Sequence, residues 1–166
     1  MVESLSAVIV TKNEVERLPK CLASLSFVDE ILIVDSGSTD GTQSLAENYG
    51  CRVIEQEWLG FGPQKEFAVN QAKYNWVVCL DADEWVSAEL ADSIKQLLKG
   101  NLNFKAYRMP RCNFFLGRWL RHGEGYPDWS LRLFDRRFAQ WNDEQVHEEV
   151  ETEEKIGSIV GDLFHE

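Results

Sequence analysis

Short apolar runs alternate with amphipathic stretches along the first hundred residues. The apolar runs predict strands at 6–10, 31–34, 52–54 and 76–80, and the spacing of apolar positions predicts helices between them. We expect these helices to begin at Pro19, after an Asp40 N-cap, near residue 63 and after a Ser87 N-cap, with Gly50 and Gly100 as stops. Alternating strands and helices are typical of a parallel sheet covered by helices, so the fold class is predicted to be α/β.

The regular pattern weakens beyond Gly100. Strand-like stretches at 106–109 and 131–134 flank a segment rich in Phe, Trp and Tyr, which we interpret as a long loop. Loops of that length in a compact domain are usually functional or disordered, and the aromatic content favours a functional, substrate-binding role. The sequence therefore predicts an α/β framework followed by a less regular half.

Composition limits the domain count and the function class. With 166 residues, 44% of them hydrophobic, the chain is long enough for one domain with a substantial core. A formal net charge of −11 argues against a nucleic-acid-binding protein, because such proteins neutralise phosphates with Lys and Arg. The four cysteines are widely separated, which indicates reduced structural thiols. Because no apolar run has the length of a membrane span and the N-terminus has no basic region, we expect a cytoplasmic chain.

Three carboxylates follow the most apolar predicted strand. Asp81, Asp83 and Glu84 come directly after residues 76–80, at the carboxyl end of a strand that should be buried. Ligands of open α/β sheets bind outside this end of the strands. Carboxylate oxygens suit Mg²⁺ or Mn²⁺, which keep positions open for substrate phosphates. The sequence predicts a metal site here, although two aspartates that cap the following turn would give the same pattern.

Polar residues also follow the first two strands. Thr11, Asn13 and Glu14 come after the first strand. The segment 35–38 follows the second strand and begins with Asp35, and no role is assigned to Gly37 within it. Asp35 could accept a hydrogen bond from a nucleobase N–H, while Thr11 and Glu14 could reach base or ribose hydroxyls. Each segment alone is also ordinary turn chemistry. At one edge of a parallel sheet, however, both segments would line the same cleft as Asp81.

The segments 11–14, 34–42 and 80–84 together resemble glycosyltransferase family 2, inverting enzymes with the GT-A fold. Residues 126–134 and 146–148 extend the resemblance over most of the chain, and within the family the chain is similar to the bacterial lipopolysaccharide core β-1,4-glucosyltransferases. The resemblance implies a Rossmann-like, mixed and mainly parallel sheet flanked by helices. It also implies transfer of a hexose, expected to be glucose, from a UDP-sugar to a lipopolysaccharide core or related cell-envelope glycan.

The resemblance also implies an organisation for the chain. Residues 1–166 would form a single GT-A domain, truncated at its C-terminus because chains of this subgroup continue further. Residues 1–100 would be the nucleotide-sugar-binding half, and residues 101–166 the acceptor-side half.

On the donor side, the resemblance assigns roles to single residues. Asp35 would bind the uracil ring, Asp81 would contact ribose and metal, and Asp83 would be the principal ligand of Mg²⁺ or Mn²⁺. Lys65 would approach the nucleotide, and Arg132 would pair with phosphate or with Asp128. Glu66 stands where the family pattern leads us to expect Asn, so the local contact with nucleotide or acceptor is open.

On the acceptor side, Asp128 would be the general base, with Glu124 and Glu148 as alternatives. His147 would complete the metal shell or contact phosphate, since imidazole and carboxylate ligands mix readily around Mn²⁺. Asp128 could instead stabilise a turn after Pro127, and His147 could be an ordinary surface residue. His165 could also lie near the active site.

Two further readings concern partners and class. The aromatic residues at 114–115, 119, 126 and 129 suit carbohydrate stacking. Together with Arg118 and Arg121 they also resemble a small membrane-contacting segment, which is consistent with peripheral association with the cytoplasmic face of the inner membrane. A nucleotide-sugar-binding module without transfer activity would carry the same donor motifs. A nucleotidyltransferase is disfavoured, because it predicts a glycine-rich basic loop where residues 11–16 stand.

Overall fold

The computed structural model describes residues 2–100, 102–121, 123 and 125–166. In these residues the helices are α1 (Leu18–Ala23), α2 (Thr42–Asn48), α3 (Phe61–Gln71) and α4 (Ala88–Lys99). The strands are β1 (Leu5–Thr11), β2 (Glu30–Asp35), β3 (Arg52–Glu55), β4 (Trp76–Asp81), β5 (Glu84–Val86), β6 (Ala106–Phe115), β7 (Arg118–Trp119), β8 (Asp128–Asp135), β9 (Ala139–Trp141), β10 (Val150–Thr152), β11 (Ile156–Ser158) and β12 (Leu163–His165). Each strand and helix predicted from the pattern is confirmed, with boundary shifts of a few residues.

The main sheet has the order β3-β2-β1-β4-β8-β6-β12-β5, and β7 and β11 also pair with β6. The first four strands in this order are parallel, β8 runs antiparallel between β4 and β6, and β12 is parallel to β6. A separate antiparallel pair joins β9 to β10. The predicted mixed, mainly parallel sheet is therefore confirmed, and its parallel half brings the ends of β1, β2 and β4 to one edge.

Both faces of the central strands are buried, which explains their continuous apolar runs. On one face, Leu5, Ala7 and Ile9 of β1 pack in the core that includes residues of α1 and α4. On the other face, Val8 packs with residues of α3, β9 and β10. Because successive side chains of β1 point to opposite faces of the sheet, this strand contributes to both apolar cores.

Helix boundaries follow their capping residues. The Ser87 hydroxyl accepts from the Leu90 amide at 3.1 Å, so the predicted N-cap of α4 is confirmed, and Gly100 is its C-cap. The predicted Asp40 N-cap is wrong by one residue, because Gly41 occupies that position with φ of 95°. Asp40 still accepts from the Thr42 amide at 3.0 Å and so satisfies a free donor of α2. No helix in the described ranges is long and apolar enough to cross a bilayer.

The aromatic segment is not the long loop that we expected. Strand β6 continues to Phe115 and turns back into β7, with Phe115 paired to Arg118. Leu116 and Gly117 between them both have positive φ, 51° and 83°, as a two-residue hairpin turn requires. Pro110 conceals the strand from a sequence reading, since proline is uncommon inside a sheet. The first part of this segment is consequently a β-hairpin formed by β6 and β7.

Candidate active site

The loops after β1 and β2 are bonded to each other. The Ser38 hydroxyl accepts from the Asn13 amide at 2.7 Å, and Asn13 Oδ1 accepts from the Thr39 amide at 2.8 Å. Lys12 Nζ donates to the Gly37 carbonyl at 2.8 Å. Asn13 has a φ of 54°, a left-handed conformation that asparagine tolerates. The two predicted segments therefore form one continuous wall at the carboxyl edge of the sheet.

Asp35 is the centre of this wall. Its carboxylate is fully buried and accepts from the Thr11 and Ser38 hydroxyls at 2.7 and 2.6 Å, the Gly37 and Ser38 amides at 2.9 and 2.7 Å, and Gln43 Nε2 at 2.8 Å. Burial alone would raise the pKa of Asp35, but bonds from Ser38, Gln43 and Thr11 outweigh it and bring the pKa to about 2. Binding of uracil by Asp35 stays a prediction, and it requires a base N–H to replace one of these donors.

Thr11 and Glu14 already have protein partners. Thr11 is 5% exposed, and its hydroxyl donates to Asp35. The Glu14 carboxylate receives two hydrogen bonds from the Arg17 guanidinium, each 2.7 Å long. Both residues nevertheless line the cavity beside Asp81. Their contacts with base or ribose hydroxyls stay predictions.

The turn from β4 to β5 carries Asp81 and Asp83, and their side chains contact different parts of the molecule. Asp81 Oδ1 lies 3.1 Å from Lys65 Nζ, and Asp81 Oδ2 lies 3.9 Å from Arg132. Burial alone would raise the pKa of Asp81, but the charges of Arg132 and Lys65 lower it to about 2. Asp81 therefore carries a full negative charge within a basic setting. Lys65 and Arg132, both predicted at the nucleotide side, do lie at this acid.

Asp83 faces another part of the molecule. Its Oδ2 lies 3.0 Å from His165 Nε2 and 3.7 Å from an Arg17 nitrogen. Burial raises the pKa of Asp83, but the hydrogen bond and charge of His165 outweigh this effect and lower it. The structure thus places His165 against Asp83, and its place near an active site stays a prediction.

The residues at Asp83 fit a divalent cation by their donor chemistry. A carboxylate oxygen and an imidazole nitrogen face each other, a combination that Mn²⁺ accepts, and both side chains are partly exposed to the cleft. The imidazole is not that of His147, whose residue is exposed in the loop before β10. In the described part of the chain no three His, Cys, Asp or Glu side chains converge on one point. The predicted set of Asp81, Asp83 and His147 is therefore not assembled, because Asp81 is drawn towards Lys65 and Arg132.

Glu84, the third carboxylate after β4, connects the β4–β5 turn to arginines of β6 and β8. Its carboxylate is fully buried and receives the Asp81 amide at 2.7 Å, Arg111 Nε at 2.6 Å, and the two terminal nitrogens of Arg132 at 2.6 and 3.0 Å. Glu84 thus fixes the turn that carries Asp81 and neutralises two arginines from neighbouring strands. Arg111 was not among the residues predicted for the site.

Asp128 opens β8 beside this network. Its Oδ2 receives Arg111 Nη1 at 3.2 Å and Asn113 Nδ2 at 3.4 Å, and the side chain is 44% exposed. One oxygen of this carboxylate is held and the side chain is open to solvent, and its role as general base stays a prediction. Of the two alternatives, Glu148 is paired with Lys65 at 3.2 Å, and Glu124 lies outside the described residues.

Two cavities meet at the acidic cluster. The first, of about 220 Å³, lies against the loop after β1 and is bordered by the aromatic pair Trp58 and Phe61, whose ring centroids are 4.9 Å apart. The second, of about 500 Å³, lies against β6 and β8. Both share the same three residues, Lys65, Asp81 and Glu148. The arrangement can accommodate two ligands whose reacting ends meet near Asp81.

The aromatic residues divide between packing and exposure. Trp119 packs edge to face on Trp85, and Phe164 lies against both rings at 4.9 and 5.6 Å. Phe115 and Leu116 at the tip of the hairpin are 57% and 85% exposed. Trp129 lines the second cavity, with the Arg108 guanidinium 4.1 Å from its ring centroid. Trp129 is therefore an aromatic residue of the predicted set that lines one of the two cavities at the acidic cluster.

Several residues of the site carry no local sequence signal. Gln43 of α2, Arg111 and Asn113 of β6, and Arg17 before α1 all contact predicted site carboxylates. Apart from the Arg17–Glu14 pair, whose members are three positions apart, these contacts join residues 8 to 66 positions apart along the chain. Only alternation along the unrecognised part of β6 could have placed Arg111 and Asn113 on one side of the strand.

Comparison with known sequences identifies the family. The sequence profile of Glycosyl transferase family 2 matches residues 6–152. The lipopolysaccharide core biosynthesis glycosyltransferase LpsC of Rhizobium meliloti is 33% identical over 168 residues, covering 97% of this chain and 62% of LpsC. An uncharacterized glycosyltransferase of Rickettsia felis is 44% identical over 96 residues, covering 57% of this chain and 34% of the relative. The chain thus spans less than two thirds of the length of these relatives.

Solved structures agree on the architecture. S. aureus TarS 1–349 in complex with UDP-GlcNAc has a TM-score of 0.58 at 21% identity, covering 72% of this chain and 37% of TarS. Glucosyl-3-phosphoglycerate synthase of Mycobacterium tuberculosis, in complex with Mn²⁺, UDP and glucosyl-3-phosphoglycerate, has a TM-score of 0.55 at 23% identity, covering 66% and 44%. At such identities the likeness establishes the fold, and it confirms the predicted GT-A architecture. Since the family profile matches most of its length, the chain belongs to glycosyl transferase family 2.

Proposed function

We propose that this chain carries the donor site and the catalytic base of a metal-dependent, inverting glycosyltransferase of enzyme class 2.4. It transfers a hexose, glucose in our proposal, from a UDP-sugar to a lipopolysaccharide core or related cell-envelope glycan. The observation that carries the proposal is the meeting of two cavities at Asp81, with the cation-ligand pair of Asp83 and His165 on one side and Asp128 joined through Arg111 and Glu84 on the other.

The donor and the metal are supported by relatives of the same fold. The TarS structure contains UDP-GlcNAc, and the mycobacterial synthase structure contains UDP together with Mn²⁺. In this chain Asp83 and His165 would hold Mg²⁺ or Mn²⁺, and Lys65 would lie close to the diphosphate. The cation, when bound, neutralises charge on the departing UDP. The first cavity would accept the nucleoside between the Asp35 wall and the Trp58–Phe61 pair.

The chain's own residues supply the remaining chemistry. Lys65 holds Asp81 and Glu148 at 3.1 and 3.2 Å, at the junction of the two cavities. Arg111 and Asn113 hold one oxygen of Asp128, which directs the other towards an acceptor hydroxyl. Proton transfer from that hydroxyl to Asp128 would accompany its attack on the sugar from the face opposite UDP. The acceptor would lie in the second cavity, on Trp129 and Arg108.

A thermal-shift panel tests the donor assignment. UDP-, GDP-, dTDP- and CDP-glucose are added with Mn²⁺, and only UDP-glucose is expected to stabilise the protein. A ligand at a hundred times its dissociation constant adds about 2.7 kcal/mol, which corresponds to roughly 5–10 °C in a domain of this size. An equal response to all four donors, or no response, contradicts the donor assignment.

Release of UDP from UDP-glucose distinguishes an enzyme from a binding module without transfer activity. Asp83→Ala is expected to abolish Mn²⁺-dependent release of UDP from UDP-glucose, while Glu57→Ala in an exposed loop serves as the matched control. Binding of UDP-glucose without any metal-dependent release by the unmodified chain favours the module. Release that survives Asp83→Ala contradicts the role of Asp83.

Peripheral contact with a membrane is the second part of the partner proposal. The exposed tip of the β6–β7 hairpin, Phe115 and Leu116, projects between strands that carry Arg118 and, nearby, Arg121. Apolar side chains flanked by basic ones suit an anionic bilayer surface. In a flotation assay with vesicles of phosphatidylglycerol and phosphatidylcholine, the unmodified protein is expected to float with the vesicles, and the variant Phe115→Ser/Leu116→Ser is expected not to. No flotation of the unmodified chain removes this part of the proposal.

A further inference from the structure

One feature of the site joins the cation ligands to the candidate base. Asn113 and His165 are direct neighbours in the paired strands β6 and β12. Asn113 Oδ1 lies 2.9 Å from His165 Nδ1, and Asn113 Nδ2 donates to Asp128 Oδ2 at 3.4 Å. His165 Nε2 in turn lies 3.0 Å from Asp83 Oδ2. A single amide thus stands between the residue that would bind the cation and the residue that would take the proton.

The two ends of the amide have opposite chemistry, and this fixes its orientation. The amide nitrogen can only donate, so it must face the Asp128 carboxylate, and the amide oxygen can only accept, so it must face His165. His165 Nδ1 therefore carries a proton. The other nitrogen, Nε2, faces Asp83: in the imidazolium it donates a proton to the carboxylate, and in the neutral imidazole it presents a lone pair.

Because Nε2 lies 3.0 Å from Asp83 Oδ2, this contact needs a positive charge, which either a proton on Nε2 or a bound cation supplies. Arg17 lies 3.7 Å from the same oxygen, but its side chain is 54% exposed, so its charge is partly screened by solvent. Both donor atoms are consequently prearranged for a cation. Ligating histidines in metal proteins commonly donate their second N–H to a carbonyl or carboxylate in this way.

The other end of the amide acts on the base. Asp128 Oδ2 receives both Asn113 and Arg111, the latter at 3.2 Å, and Arg111 is itself anchored at 2.6 Å on the buried Glu84. Asn113 and Arg111 lie two residues apart on β6, so they reach Asp128 from one side of the strand. The carboxylate orientation is thereby coupled to the strand that orients His165.

We propose that Asn113 is a positioning residue for both halves of the site: its oxygen fixes His165 in the tautomer that binds the divalent cation, and its nitrogen orients the Asp128 carboxylate. This inference rests on the proposed function for the identity of the cation site and of the base. It predicts that substitutions at residue 113 separate the two effects, because the oxygen and the nitrogen can be removed independently.

The test compares two variants by Mn²⁺ titration in the presence of UDP, followed by electron paramagnetic resonance of free Mn²⁺. Asn113→Leu removes acceptor and donor, and its dissociation constant for Mn²⁺ is expected to rise about 10–100-fold, the range for loss of a partner of a ligating histidine. Asn113→Asp keeps an acceptor for His165 and is expected to retain the affinity of the unmodified chain. Asn103→Leu, at an exposed position, is the control and should be unchanged.

Two further readouts distinguish positioning from general support. Long-range ¹⁵N–¹H spectra of the three histidines are expected to show an Nδ1–H tautomer for His165 without metal, and to lose this preference in Asn113→Leu. Asn113→Asp should slow sugar transfer although it binds Mn²⁺, because a carboxylate replaces the donor to Asp128. This split between metal affinity and turnover is not expected from a merely structural residue.

The outcomes are distinct. If the unmodified chain does not bind Mn²⁺ with UDP, the metal part of the proposed function and this inference both fail. If it binds and Asn113→Leu binds equally well, only the role of Asn113 is overturned. Should Asn113→Leu not fold, Asn113→Asp decides alone, since lost Mn²⁺ affinity in that variant contradicts the role of the acceptor oxygen.

Discussion

Replacement of Glu84 by Gln removes the buried negative charge that pairs with two arginines, the buried Arg132 and the partly exposed Arg111. The carboxylate accepts four hydrogen bonds, two of them from Arg132 and one from Arg111. Gln has nearly the same shape but only one accepting oxygen, and its NH₂ group would point at a guanidinium. The variant therefore isolates the electrostatic contribution from the packing contribution.

The expected loss follows from the number of donors. At least two of the four lose their acceptor, and hydrogen bonds to charged groups contribute about 1.5–3 kcal/mol each. Removal of one partner from a buried ion pair typically costs about 3–5 kcal/mol. Arg111 keeps Asp128, and Arg132 keeps the Cys79 carbonyl at 3.2 Å, so we expect the lower end, about 3 kcal/mol. Such a loss lowers the melting temperature by roughly 6–12 °C.

Urea unfolding at pH 7 measures this loss, with Glu57→Gln in an exposed loop as the control, expected within about 0.5 kcal/mol of the unmodified chain. The double variant Glu84→Gln/Arg132→Met should be less destabilised than the sum of the single variants, because no unpaired charge remains. A loss below about 1 kcal/mol for Glu84→Gln would refute the reasoning, since the arginines would then be satisfied without it.

Three other predictions concern stability and pH. Gly161→Ala should lower the free energy of unfolding in urea by about 1–3 kcal/mol, because φ at Gly161 is +113° and a Cβ would lie 2.4 Å from the Leu90 amide nitrogen. The control Gly100→Ala, whose Cβ would have its nearest contact at 3.4 Å, should cost less than half as much. Asp35→Asn should cost about 2 kcal/mol at pH 7, the equivalent of lowering a pKa of 3.8 to about 2. Because the folded pKa of Asp35 is depressed, this difference should be full above about pH 5 and vanish as the pH falls through 2, and a difference that is constant with pH contradicts it.

The parallel half of the fold could be predicted because it obeys local rules. Residues buried on both faces give continuous apolar runs, and Ser87 and Gly100 mark the ends of α4 by capping chemistry. The same rules placed Asp35 and Asp81 at one edge of the sheet, as the pairing of Thr11 with Asp35 and of Val10 with Asp81 confirms. The donor side of the site was therefore readable from strand ends alone.

The acceptor side could not be predicted in the same way. Pro110 hides the length of β6, and β12 is only three residues long, too short for a periodic signal. His147 and His165 each stand next to glutamate in the sequence, so nothing local says which imidazole reaches Asp83. That choice depends on the pairing of His165 with Asn113 and Glu84, a register set by long-range contacts.

The position of β12 has a consequence for how the protein folds. Its three residues pair with β6 on one side and β5 on the other, and they bring His165 to an aspartate 82 positions earlier in the chain. Such distant contacts close late and slowly, because the entropy of the intervening loop must first be lost. A cation held by Asp83 and His165 would bind only molecules in which this strand is docked. By mass action such a complex would stabilise the form of the protein in which β12 is docked, relative to any form in which it is detached.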